Sequence, residues 1–175
     1  MRKLSMRFVA VILLLVGVAV AVDPPLQPFS SADGRFVVQF PGGAPKVETQ
    51  SVPLKNGQTC TMNQFWVELE NGSLSYMVMY NDYPPGFITD TSLAAQQTRL
   101  EQTRNGAING KTLISDTPIA LNGAPGRAFS ASDKDFHYDV RQYMVGMRLY
   151  QLIIVSTDAH PPTQRDQFFS SFLFH

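Results

Sequence analysis

The stretch NGQTCTMNQFWVELENGSLSYMVMYNDY, Asn56 to Tyr83, contains two asparagine-glycine pairs set around long runs of β-branched, aromatic and methionine residues. Asn-Gly fits the primed turns that join neighbouring antiparallel strands, and the runs have the composition of strands. The pairs therefore join three strand segments into an antiparallel meander: 46–54, 58–69 and 74–83.

Outward from this meander, the residues on the amino-terminal side add one strand and those on the carboxyl-terminal side add one helix. Residues 36–40 are β-branched and aromatic and are bounded by turn residues, so they predict a first strand that turns into the second. Residues 89–106 lack proline and internal glycine and have a thin apolar face, which predicts a long helix lying on the sheet. We expect Asp90 or Thr91 as its N-cap and Asn105-Gly106 as its end.

The remaining residues predict more strands and a short final helix. In residues 163–174, Phe168, Phe169, Phe172 and Leu173 recur three or four apart, which indicates a helix with one buried aromatic face. The fold class predicted is α+β: an antiparallel sheet of about six to eight strands, with one long helix and a short C-terminal helix packed on it. The later strand segments are 112–121, 127–132, 136–145 and 148–156.

The first residues have the pattern of an export signal. Three basic residues precede fifteen apolar or glycine residues, and Ala19-Val20-Ala21 has the small-x-small form of a cleavage site. We expect a signal peptide over 1–21, a proline-rich tether over 22–29 and one domain over 30–175, in the periplasm or outside the cell. The alternative is an uncleaved signal that anchors the chain in the membrane.

Composition excludes several classes of function. The sequence has 14 acidic and 14 basic residues, and removal of the predicted signal takes away three of the bases, so no basic surface for nucleic acid is expected. Cys60 is the single cysteine, so no internal disulfide forms, and its place in a strand predicts a buried, unreactive thiol.

Four short motifs resemble those of exported bacterial proteins of the PsbP-like superfamily. The fold of that superfamily is shared with the PsbP subunit of photosystem II and a nuclear Ran-binding protein. The resemblance implies an α/β/α sandwich, and it implies no catalytic residue. The motifs are Gly34-Arg35-Phe36-x-Val38-x-Phe40-Pro41-Gly42, Asn122-Gly123-x-Pro125-Gly126-Arg127, Arg141-x-Tyr143 followed by Arg148-Leu149-Tyr150-Gln151-Leu152, and Phe168-x-Ser170-Ser171-Phe172.

The glycine-rich segment after the first strand is not a phosphate loop. A P-loop has two glycines flanking four residues and then Lys-Ser/Thr at the start of a helix. Residues 41–48, PGGAPKVE, have different spacing and a second proline, and no helix is predicted after them. Gly42 and Gly43 are therefore expected only to let the chain turn.

The weak candidates for a metal site are Asp135, His137 and Asp139. Alternation along a strand places their carboxylates and imidazole on one face, where they could approach a metal such as zinc. Same-face residues lie almost 7 Å apart at about 3.4 Å per residue, so a solvated face is the preferred interpretation. No Gly-x-Ser-x-Gly elbow is present, and Ser170 and Ser171 are expected to be polar helix positions. We predict no catalytic, cofactor-binding or metal residue.

Residues 76–83 carry apolar bulk on both faces of one strand. Tyr76, Val78 and Tyr80 lie on one face, and Met77, Met79 and Tyr83 lie near the other. Packing in the core is the preferred interpretation, and the alternative is that one of these faces lines a groove under the long helix. The sequence therefore favours a non-catalytic, exported domain that binds a protein partner or an envelope component. The alternatives are a small-ligand binding protein and a metal-dependent hydrolase centred on His137.

Overall fold

The computed structural model describes residues 23–54 and 56–175, so the predicted signal peptide lies outside the described residues. Among the described residues, no helix is long and apolar enough to cross a membrane. The strands are β1 (Leu26–Ser31), β2 (Phe36–Pro41), β3 (Lys46–Pro53), β4 (Thr59–Leu69), β5 (Leu74–Asp82), β6 (Thr112–Leu121), β7 (Ala124–Ser132), β8 (His137–Val145), β9 (Arg148–Ser156) and β10 (Leu173–Phe174), and the helices are α1 (Leu93–Ala107) and α2 (Arg165–Ser171).

Seven strands form one antiparallel sheet in the order β3-β4-β5-β9-β8-β7-β6. The Asn-Gly turns join β3 to β4 and β4 to β5 as the sequence predicts. After α1, strands β6 to β9 form a second meander. It joins the first meander where β9 pairs with β5. The predicted α+β class and antiparallel sheet are confirmed.

The remaining three strands form a separate sheet in the order β1-β2-β10. The first predicted strand, residues 36–40, therefore lies in a different sheet from β3, and the strands form two antiparallel sheets where the sequence predicts one. Gly42 and Gly43 lie between β2 and β3 with φ of 83° and 135°, values that favour glycine. These two glycines redirect the chain from one sheet to the other, and β3 follows them, not a helix.

Strand β1 lies within the segment that the sequence predicts as a tether and domain start. Leu26–Ser31 pairs antiparallel with β2 along its whole length. Pro28 is compatible with this pairing because β1 is an edge strand, and an edge strand leaves half of its N–H groups unpaired. The ring of Phe29 lies 5.9 Å from that of Phe40, so packing against β2 orders the proline-rich segment from residue 26 onward.

One face of the seven-stranded sheet is covered by the three-stranded sheet and α2. We call it the closed face. The predicted burial of Phe168, Phe169 and Phe172 is confirmed. The final helix ends at Ser171 and is therefore shorter than predicted. Leu173 and Phe174 pair with β2 instead of continuing the helix, and the Leu173 side chain is 48% exposed. Ser171 Oγ accepts a hydrogen bond from the Gln39 N–H and links α2 to β2.

Helix α1 lies on the opposite face, over β7 and β8. Its N-cap is Ser92, whose hydroxyl accepts a hydrogen bond from the Ala95 N–H, so the prediction of Asp90 or Thr91 is wrong. Asp90 instead accepts a bond from the Ser92 N–H. The helix also continues through Asn105-Gly106. The predicted thin apolar face is confirmed, because Leu100 is the one buried residue of α1.

Charged side chains supply the rest of the attachment of α1. Asp116 on β6 forms salt bridges of 2.9 Å with Arg104 of α1 and 3.1 Å with Arg127 of β7. Arg127 also reaches Glu101 of α1 at 2.7 Å. We call these four side chains the helix network. They are largely shielded except for Glu101, so α1 is attached to the outer strands by ion pairs as much as by apolar packing.

Two of the sequence motifs behind the family resemblance meet between the sheets. Arg148 donates to both carboxylate oxygens of Asp82 at 2.6 Å and to the Asp33 carbonyl at 2.8 Å. Tyr150 donates to the Gly34 carbonyl at 2.7 Å. A Cβ at Gly34 would lie 2.6 Å from the Phe36 ring, so the turn between β1 and β2 requires glycine there. These motif residues hold the two sheets together.

Candidate functional site

The candidate site is the part of the sheet that α1 leaves uncovered. Cross-strand pairing places Trp66 opposite Met77 and Met77 opposite Ile153, all on the side away from the closed face. Within the described residues, α1 packs on β7 and β8 and no element is assigned over β4 and β5 on this side. We call this surface the open face; its half-buried residues are Met62, Gln64, Trp66, Ser75, Met77, Met79, Asn81, Gln151, Ile153 and Val155.

The open face ends in an apolar groove beside the carboxyl end of α1. Its volume is about 260 Å³. Met77 lines this groove, as the alternative interpretation of the sequence has it, whereas Met79 and Tyr83 are not among its lining residues. Tyr76, Val78 and Tyr80 are buried in the closed-face core, as the preferred interpretation has it. The groove is lined by Met77, Ala107, Ile108, Lys111, Phe129, Ala131, Tyr138, Val140, Ile153 and Val155.

Polar groups are confined to the rim of the groove. Lys111 Nζ donates to the Ala107 carbonyl at 3.2 Å and lies 4.8 Å from the centre of the Tyr138 ring. The Tyr138 hydroxyl donates to Asp133 at 2.7 Å. Desolvation, and then this contact with Asp133, raises the pKa of Tyr138 to about 12. The bond from Tyr138, followed by bonds from two backbone N–H groups, lowers the pKa of Asp133.

The other end of the open face carries the single tryptophan. Trp66 Nε1 donates to Glu68 at 3.2 Å, and Lys46 Nζ lies 6.0 Å from the centre of the indole ring. The hydrogen bond from Lys46, then that from Trp66, lowers the pKa of Glu68. An apolar surface with charged groups at its edge has the general organisation of a protein interaction site.

The weak candidates for a metal site lie apart from the open face and are paired with other residues. His137 Nε2 lies 2.6 Å from Asp158 Oδ1, and Asp139 forms a salt bridge of 2.9 Å with Arg165. Asp135 precedes β8, so the prediction that it shares a strand face with the other two is wrong. The described residues include no group of three or more His, Cys, Asp or Glu side chains placed to hold a metal.

His137 and Asp139 line a second cleft, of about 350 Å³, together with Asp158 and the Pro161-Pro162 loop. Sequence reasoning missed Asp158 and Arg165 as partners because both lie more than twenty residues away along the chain. The pairing of β8 with β9 brings Asp158 near His137, and α2 brings Arg165 to Asp139. Alternation within one strand contains no signal for either contact.

Cys60 is buried, as the sequence predicts. Its thiol lies 3.4 Å from the Asp82 carbonyl and 3.7 Å from the Asn81 amide. Burial is the main cause of the raised pKa of this thiol, which lowers the thiolate fraction at neutral pH. Cys60 therefore packs as a small apolar side chain next to the Asp82 end of β5.

No protein-family model matches the chain, and a search of curated proteins gives no match. Among solved structures, the chain is similar to cyanobacterial PsbP (CyanoP) from Synechocystis sp. PCC 6803, determined in solution, with a TM-score of 0.51. The two sequences are 16% identical over 93% of this chain and 99% of that one. The chain therefore has a PsbP-like fold.

Proposed function

We propose that the chain is an exported, non-catalytic domain that binds a protein partner or another envelope component through its open face. The observation that carries the proposal is the composition of alternate positions on β4, β5 and β9. The outward positions of an antiparallel sheet are usually polar when that side is solvated. Here four of these positions are the half-buried, apolar Trp66, Met77, Met79 and Ile153, and they alternate with the polar residues Gln64, Ser75, Asn81 and Gln151.

The residue types also support an adaptable interface. Methionine side chains are flexible and polarizable, and tryptophan and methionine are enriched in protein interfaces relative to the rest of the surface. The charged groups lie at the margin, with Lys46 and Glu68 beside Trp66. A partner that covers this surface would bury apolar groups at the centre and keep these charges at the rim.

The proposal is tested by placing a photo-crosslinking amino acid at Met79 in the exported protein. A second crosslinker at Gln102, an exposed position of α1, is the matched control. We expect a product specific to Met79, and the captured partner should then bind the purified protein with an affinity that Met79→Glu lowers at least tenfold. Equal capture at both positions, or a Met79→Glu variant that binds normally, would contradict the proposal. The intact mass of the recovered protein should match that of a chain that begins at Val22.

The apolar groove favours a second candidate function, which is the binding of a small apolar ligand. Its lining consists mainly of apolar side chains from the sheet and from the end of α1. Concave, mostly apolar sites with a few polar groups are typical of small-molecule binding. A hydrolase centred on His137 has less support, because His137 and Asp139 are engaged by Asp158 and Arg165.

A further inference from the structure

We propose that the apolar groove binds an aliphatic monocarboxylate, with its chain along the groove floor and its carboxylate at Lys111. The inference rests on the small-ligand candidate function and adds the chemical class of the ligand. It follows from three features of the groove: its floor, its volume and the charge at its rim.

The floor of the groove selects an apolar ligand. Met77, Val140, Ile153 and Val155 present hydrocarbon or thioether groups from three neighbouring strands, and Ala107 and Ile108 form the wall on the α1 side. A sugar or nucleoside would lose hydrogen bonds to water there without replacement, which costs several kcal/mol. Each buried methylene group of a chain would instead contribute about 0.8 kcal/mol.

The volume limits the size of the ligand. At about 260 Å³, the groove is smaller than the range of roughly 300–1,000 Å³ that is typical of sites for larger organic ligands. It suits one short aliphatic chain better than the two chains of a bilayer lipid.

The rim selects a negative head group. Lys111 Nζ has one hydrogen bond, to the Ala107 carbonyl, and within the described part of the chain it forms no salt bridge up to 4.0 Å. An ammonium group has three donors, so two remain for an anion. A carboxylate at this position would form a charge-assisted hydrogen bond with the partly buried lysine.

Asp133 and Asp135 are the acidic groups that act on this rim, and the charge of Asp133 attracts Lys111, although the oxygens of Asp133 accept their hydrogen bonds from other donors. Oδ1 accepts from the N–H groups of Asp135 and Phe136, and Oδ2 accepts from the Tyr138 hydroxyl. The Asp133 carboxylate is thereby directed toward the β7–β8 turn and the tyrosine hydroxyl. Lys111 therefore keeps hydrogen-bond donors for an incoming carboxylate, which competes with the charge of Asp133 for the ammonium group.

The test is isothermal titration calorimetry of the purified protein with decanoate, decanol and decyltrimethylammonium below their aggregation concentrations. We expect one decanoate per protein, bound at least tenfold more tightly than either of the other two probes. Lys111→Met should weaken decanoate about tenfold and leave decanol unchanged. Lys134→Met, which removes the same charge from an exposed turn residue outside the groove lining, should change neither.

A further variant locates the ligand. Ala107→Phe, at an exposed helix position, should fill the groove and abolish binding of decanoate without unfolding the protein. If decanol binds as tightly as decanoate, or Lys111→Met leaves decanoate unaffected, the carboxylate inference is overturned and the small-ligand function stands. If no probe binds, both are overturned.

Discussion

The two faces of the seven-stranded sheet are built in different ways. On the closed face, aromatic side chains of β2, α2 and β10 pack against the sheet. The ring centres of Phe36, Tyr150 and Phe172 lie within 6.4 Å of one another. On the other face, α1 buries one leucine and depends on the helix network, while the open face beside it remains half-exposed. The closed face supplies most of the apolar burial, and the other face carries the surfaces available for binding.

This difference separates stability from function within one sheet. Burial of a phenylalanine side chain contributes roughly 1.5–3 kcal/mol, so the closed face can hold the fold even if the open face is only half-covered. The open face can therefore keep exposed methionine and tryptophan side chains without loss of the fold. Substitutions in the closed-face core should mainly affect stability, and substitutions on the open face should mainly affect binding.

The largest expected effect is the loss of an aromatic ring from the closed face. Phe172→Ala should lower the free energy of unfolding by about 3–5 kcal/mol, because Phe172 is 1% exposed and its removal leaves a cavity among other rings. Chemical denaturation measures this change. Leu173→Ala is the control, since that neighbouring side chain is largely exposed. Equal, small losses for both variants would show that α2 and β10 do not hold the core.

A smaller effect is expected from the helix network. Asp116→Asn leaves the shielded guanidinium groups of Arg104 and Arg127 without their shared charge, so we expect a loss of about 1.5–3 kcal/mol. Lys46→Met breaks the exposed pair with Glu68 and should change the free energy of unfolding much less, because solvent screens that pair. Thermal and denaturant unfolding of the two variants compare them. Losses of the same size would mean that the network contributes no more than a surface ion pair.

The smallest effect concerns the rim of the groove and depends on pH. The pKa of Tyr138 is raised from 10.0 to about 12, so its contribution to stability is complete below pH 10 and is lost as the pH rises through about 12. Asp133→Asn should lower this pKa, because it removes a negative charge next to the hydroxyl. The tyrosinate absorbance of the protein, minus that of Tyr138→Phe, follows this one residue. A pKa that Asp133→Asn leaves unchanged would contradict the assigned contact.

Much of the seven-stranded sheet could be predicted, because its signals are local. The Asn-Gly turn at 71–72 and the segments 112–121 and 148–156 match the observed hairpins and strands closely. The open face could be predicted in part, since the alternation over 76–80 separates Tyr76 from Met77. No sequence pattern indicated that Lys111 lines the groove, because this residue reaches the groove only when the end of α1 packs beside β8.

The sequence by itself determined the conformation of most strands and which side chains share a face, because both follow from alternation and turn residues within a few positions. Only the tertiary structure decided that β2 leaves the meander, that Leu26–Ser31 and Leu173–Phe174 join it in a second sheet, and that His137 and Asp139 meet Asp158 and Arg165. The physical reason is that partners distant in sequence are selected by the closure of a common core. The apolar groups of β1, β2 and α2 are buried together only when the three-stranded sheet lies against the larger one.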